Sequence, residues 1–149
     1  MKLAEALSER ADIKKRIEQL ENRLILNAKV QDGEKPSEDP KELITELDYL
    51  IKRFEELVTK INLRNATVVD SSETLTSLLA RKDALTFKIN VMRDFLGEAS
   101  SITSRGTRSE IKILPTIDVA SYQKKIDKLS KELRELDVRI QTINWTIDL

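Results

Sequence analysis

The sequence of 149 residues contains no cysteine and no histidine. Without thiolate or imidazole it cannot assemble the zinc sites that use those ligands, Cys–His or Ser–His nucleophilic catalysis, or the di-iron bundle sites that require a Glu-x-x-His pair. There is also no disulfide framework to indicate an oxidising compartment. Aromatic residues make up only 4% of the chain, so its core has to be aliphatic. Three glycines are too few for a Gly-rich phosphate loop. The chain has no excess charge of either sign: 26 basic residues stand against 26 acidic ones. That balance removes the field that draws in a phosphate backbone or anionic lipid, so neither nucleic acid nor membrane is an expected partner. No stretch approaches the roughly 20 apolar residues of a membrane span. The opening "MKLAEALSERADIKK" places charges where a signal peptide needs an uninterrupted apolar run, and the expected location is the cytoplasm.

What the sequence has in quantity is Leu, Ile, Lys and Glu in helical spacing, with 35% of residues charged. That mixture is typical of long helices and coiled coils. The periodicity predicts an all-α protein, an elongated four-helix bundle or long helical hairpins, in a single domain over 1–149. Helices are expected over about 2–28, 40–64, 72–100 and 118–143. In the first, Ile13, Ile17, Leu20 and Leu24 form a heptad seam that Leu3 and Ala6 extend backwards, with Arg10 interrupting it. Gly33 and Pro36 end it, and Asp39, Pro40 and Glu42 supply a cap, a first-turn proline and a capping box for the second. The second seam runs through Leu43, Leu47, Leu50, Phe54, Leu57 and Ile61. Ile44, Ile51 and Val58 widen it into a stripe suited to a packed core. Asp70 and Glu73 offer a capping box for the third helix.

The third helix carries two apolar stripes. One is Leu75, Leu78, Leu85, Ile89, Met92 and Leu96, with Lys82 at a position that the heptad would make apolar. The other is Ala80, Ala84, Phe87, Val91 and Phe95 on a different side. A helix apolar on two sides needs two sets of neighbours, so the second stripe is read as a subunit interface and the protein as a homo-oligomer. Lys82 can set register or oligomer state, as isolated polar residues do in coiled coils. The fourth helix has an unbroken seam from Tyr122 through Ile126, Leu129, Leu133, Leu136, Ile140 and Ile143, and Asp118 is its expected cap.

Two segments depart from helical spacing. In "SEIKILPTIDV", Ile111 and Ile113 alternate with polar residues, which predicts a short extended segment near 110–114 ahead of Pro115. In "TINWTIDL", Ile143, Trp145, Ile147 and Leu149 alternate in the same way, which predicts an extended C-terminal tail. Ile111, Ile113, Trp145 and Ile147 thus join the candidate interface, either as arms reaching a neighbouring subunit or as straps within one. Trp145 is expected to be buried, because its large ring is costly to leave in water.

The blocks "LILNAKVQDGEKPSEDP", "RSEIKILPTIDVASYQKK" and "ELDVRIQTINWTIDL" resemble the septicolysin-like family of small bacterial helical proteins. That resemblance implies an all-helical fold and, through the family's name, a cytolysin.

Chemistry is sparse. Asp32, Glu34, Glu38 and Asp39 form the densest acidic loop but lack ordered cation-ligand spacing, and no metal or other cofactor is expected. Arg105, Arg108 and Lys112 form a basic cluster that either seats an anion or pairs with acids at a subunit contact. The expected function is that of a non-enzymatic, self-associating structural or interaction module. The alternatives are a membrane-active protein, as the resemblance implies, and a metal- or anion-dependent enzyme with its site at a subunit interface.

Overall fold

The computed structural model describes residues 1–101 and 111–149, and Val68 by its backbone alone. The fold is all-α. Its helices are α1 (Leu3–Leu26), α2 (Pro40–Asn65), α3 (Leu75–Ser100) and α4 (Val119–Thr146). Two short strands, β1 (Val68–Asp70) and β2 (Glu73–Thr74), form a two-stranded sheet closed by Ser71 and Ser72. Both serines have positive φ, 41° and 71°. Left-handed values at two successive turn residues are what a hairpin twisted like its strands requires. The chain gathers into two compact units, one of Met1–Ser72 with Thr142–Leu149, the other of Glu73–Gln141.

The first unit is built on an antiparallel hairpin of α1 and α2. Leu3, Ala6, Ile13 and Leu20 of α1 are buried with Leu43, Leu50, Leu57 and Ile61 of α2, so the heptad positions form the core. Ile44 and Ile51, read from sequence as part of that core, remain about half exposed. Two helices meeting along one seam cover a narrower stripe than a full bundle does. Beside the seam, ion pairs fix the register. Arg53 meets Glu9 at 2.7 Å and Arg16 meets Glu46 at 3.5 Å, one heptad apart on both helices.

The connection after α1 is tied back to it. The Asn27 amide donates to the Arg23 carbonyl at 2.8 Å, and its side-chain oxygen accepts from the Glu38 amide at 3.0 Å. The Glu38 carboxylate in turn accepts from Arg23 Nε at 3.0 Å. Asp39 then caps α2 by accepting from the Lys41 amide at 3.0 Å, with Pro40 in the first turn.

The C-terminal tail closes this unit. Its extended part is shorter than the alternation suggests, because α4 continues to Thr146, where the Ile147 amide still bonds the Ile143 carbonyl at 3.0 Å. Helical rotation buries Ile143 and Asn144 together and turns Trp145 outward, so the indole expected in the core is 64% exposed. Beyond Thr146 the chain pairs antiparallel with its own start. The Leu3 amide donates to the Ile147 carbonyl at 3.1 Å, and the Leu149 amide to the Met1 carbonyl at 3.0 Å. Lys2 Nζ adds a bond to the Thr146 carbonyl and an ion pair with Asp148 at 3.0 Å.

The second unit contains β2, α3 and the greater part of α4. The start of α3 lies later than the Asp70/Glu73 signal suggests, because residues 73–74 are spent on β2. The cap is instead a reciprocal pair between Thr74 and Ser77: each side-chain oxygen accepts from the other residue's amide, at 3.1 and 3.2 Å. Asp118 caps α4, accepting from the Ser121 amide at 3.4 Å. Antiparallel register between α3 and α4 is set by Lys82 with Asp137, by Arg93 with the Ser130 hydroxyl at 3.2 Å, and by Phe95 edge-on to Tyr122 at 6.3 Å. Lys82 therefore serves as an intrachain pin in the seam. Leu75, Leu78, Ile89, Leu96, Ile126, Leu136 and Ile140 are buried, while Leu85, Met92, Leu129 and Leu133 are only half-buried.

Candidate functional site

Helix α3 is the element with apolar side chains to spare. At 100° per residue, the buried row through Leu75, Leu78, Ile89 and Leu96 occupies one side, and Ala80, Ala84, Phe87, Val91 and Phe95 fall on the opposite side. All five of these are exposed. Phe87 is 73% exposed and Val91 66%, while Phe95 is partly covered by its contact with Tyr122. Lys125 lies over the same Tyr122 ring at 4.4 Å, so the apolar row ends against a cation. The row is a contiguous exposed apolar strip, in contrast to the singly scattered apolar side chains that are ordinary on a protein surface. The sequence pattern already contained it, because the two stripes are separated by their phase alone.

The remaining sequence-derived candidates are dispersed. Residues 111–115 lie in neither helix nor strand, and Ile111 and Ile113 are both exposed there. Trp145 is exposed on α4 and Ile147 is half-buried in the tail. Lys112 is exposed, whereas Arg105 and Arg108 lie outside the described residues, so the basic cluster has one described member. In the acidic loop, Glu38 and Asp39 are committed to Arg23 and to the α2 cap. Among the described residues, no group of three or more carboxylates is placed to hold a metal ion. No helix among them is long and apolar enough to cross a membrane.

The carboxylates with perturbed acidity are structural. Hydrogen bonds from Arg53 hold Glu9 below the usual range, and Arg23 does the same to Glu38. Arg81 and Arg139 together lower Glu73, and Lys2 lowers Asp148. Each shift stabilises the ionised form, which suits a permanent ion pair and not a proton donor or acceptor poised near neutrality.

Sequence reasoning passed over a second feature, a groove of about 550 Å³ on the first unit. Met1, Leu57, Leu63 and Leu149 line it together with Arg53, Lys60 and Arg64. The signal was the spacing of those three cations on α2, seven and then four residues apart, which puts them on one face.

Residues 10–149, nearly the whole chain, match the model of a family of unknown function, DUF6847. The chain belongs to that family. The match overturns the septicolysin-like resemblance. The blocks on which that resemblance stood include the Asn27–Glu38 clasp and the tail paired with residues 1–3, features that make a helical sequence distinctive without specifying a cytolysin. The chain is also similar to a functionally unknown conserved protein from Corynebacterium diphtheriae, known from its crystal structure. The two share 41% identity with a TM-score of 0.90, over 100% of this chain and 98% of that one. No curated protein matches the sequence.

Proposed function

We propose that this DUF6847 protein is a non-enzymatic helical module that works by self-association, with a second copy of the chain covering the outer row of α3. The observation that carries this reading is the exposed row Ala80, Ala84, Phe87, Val91 and Phe95, set directly opposite the row that α3 buries within its own unit. A second copy fits it because the row runs from small to large side chains. Laid antiparallel, Ala80 of each copy falls opposite Phe95 of the other and Ala84 opposite Val91, with Phe87 near the two-fold axis. Such a contact is isologous, and it closes at two subunits. Within each subunit the perturbed carboxylates are fixed in ion pairs, which supports a structural role over catalysis. The proposed setting is the cytoplasm, in line with an aliphatic core that needs no disulfide.

The test is absolute mass by light scattering after size exclusion, for the native chain and for Phe87→Arg. The expected result is a dimer for the native chain and a folded monomer for the variant. A monomeric native chain overturns the proposal, and so does a variant that remains dimeric. The absence of cysteine makes orientation measurable as well. With Ala84→Cys and Val91→Cys mixed, antiparallel packing gives the 84–91 crosslink in preference to 84–84.

A further inference from the structure

The groove on the first unit carries positive charge that its own side chains neutralise only in part. Arg53 is spent, bonding both carboxylate oxygens of Glu9 at 2.7 and 2.9 Å and lying 3.5 Å from Glu56. Arg64 bonds only neutral oxygens, the Asp148 carbonyl at 2.8 Å and the Thr67 hydroxyl. The Asp148 carboxylate is hydrogen-bonded by Lys2 at 3.0 Å and attracts Arg64 more weakly. Lys60, one turn before Arg64, has no hydrogen-bond or ion-pair partner among the described residues. Next to these two cations the surface is apolar. Leu57 is buried and Leu63 is 66% exposed, and Met1 and Leu149 complete the apolar lining.

A cation pair beside a hydrocarbon-lined groove selects for both properties in one ligand. An inorganic anion satisfies Lys60 and Arg64 but leaves the leucines in water; a neutral hydrocarbon covers the leucines but does nothing for the charges. The volume, about 550 Å³, lies within the range of small-molecule sites. We infer that this groove binds a small anionic amphiphile, an apolar body with one carboxylate or phosphate group. The head is held by Lys60 and Arg64, and the body lies against Leu57, Leu63 and Leu149. The site lies wholly within the first unit, so it stands or falls independently of the α3 surface.

The probe is decanoate, titrated below its micelle concentration into the full chain and followed by amide shifts in two-dimensional NMR. Decanol and inorganic phosphate serve as the two half-ligands. Saturable shifts are expected around Lys60, Leu63 and Arg64, with decanoate binding at least tenfold more tightly than either half-ligand and weakening as salt is raised. Lys60 and Leu63 are both exposed, so Lys60→Glu and Leu63→Asp are expected to keep the native amide spectrum while each weakens decanoate by a factor of ten or more. Four results overturn the inference: no saturable binding, shifts spread over other surfaces, decanol binding as well as decanoate, or affinity indifferent to both substitutions. Octyl phosphate in place of decanoate then reports which headgroup is preferred.

Discussion

The two rows of α3 predict opposite responses to the same kind of truncation. Ile89 is 2% exposed, and cutting it to Ala removes buried methyl and methylene groups and leaves a cavity. Losses of about 2–5 kcal/mol are usual for that change, and about 3 kcal/mol in a chain of this size lowers Tm by roughly 6–12 °C. Phe87, two residues earlier, is 73% exposed, so about a quarter of its surface is covered within the subunit. A quarter of the ~3 kcal/mol for full burial of a phenylalanine is about 0.8 kcal/mol, and the better helix propensity of Ala returns about 0.5. The monomer's Tm should therefore move by no more than ~1 °C for Phe87→Ala. Thermal melts followed by circular dichroism at two protein concentrations tenfold apart separate the effects. Ile89→Ala should lower Tm by a similar amount at both. Under the proposed dimer the native chain's Tm should rise with concentration, and Phe87→Ala should erase that rise. Equal losses for the two variants at every concentration would refute the assignment of inner and outer rows.

Two further outcomes follow from local features. Ser72 has φ 71°, a left-handed value that costs a side-chain-bearing residue about 1 kcal/mol. Ser72→Gly should raise Tm by ~1–2 °C after subtracting the unfolded chain's extra freedom, and Ser72→Val should lower it; the reverse order in a melting experiment contradicts the turn. Glu9, Glu38, Glu73 and Asp148 all have lowered folded-state pKa values, first through hydrogen bonds from their Arg or Lys partners. In acid the unfolded chain thus binds more protons than the folded one. Stability should be full above the ordinary carboxylate range, about pH 4, and should fall as pH drops through it towards the depressed values. Urea midpoints that stay constant from pH 5 to 3 would show that these ion pairs contribute nothing.

Much of the architecture was legible because heptad phase is a direct consequence of helix geometry. Positions such as Ile13, Leu50, Leu57 and Ile140 could be assigned to the core without knowing what they touch. Capping was legible where the signal was singular, as at Asp39 and Asp118, and misleading where polar residues cluster. Between Asp70 and Ser77 several side chains compete for the same amides, and strand pairing decided for Thr74. The Trp145 error has a related cause. Over four or five residues, period two and period 3.6 agree on positions i and i+4, so Ile143 and Ile147 fit either, but they disagree on i+2, which a helix turns about 200° away; the continuing backbone bonds at 146–147 put Trp145 on the outside. The outer row of α3 was readable in advance, whereas the groove was not. Its apolar wall joins residues from both ends of the chain, and no local pattern reports that.

The pairing of the tail with residues 1–3 also fixes an order of events. The α1–α2 hairpin is held by contacts between residues 15 to 44 positions apart, which close quickly. The Lys2 bond to the Thr146 carbonyl spans 144 positions. During synthesis, therefore, the unit whose helices emerge first is the one completed last. Its opening residues lack their strand partner until everything between has left the ribosome, and interactions at the tail should accelerate unfolding when removed while leaving the folding rate unchanged.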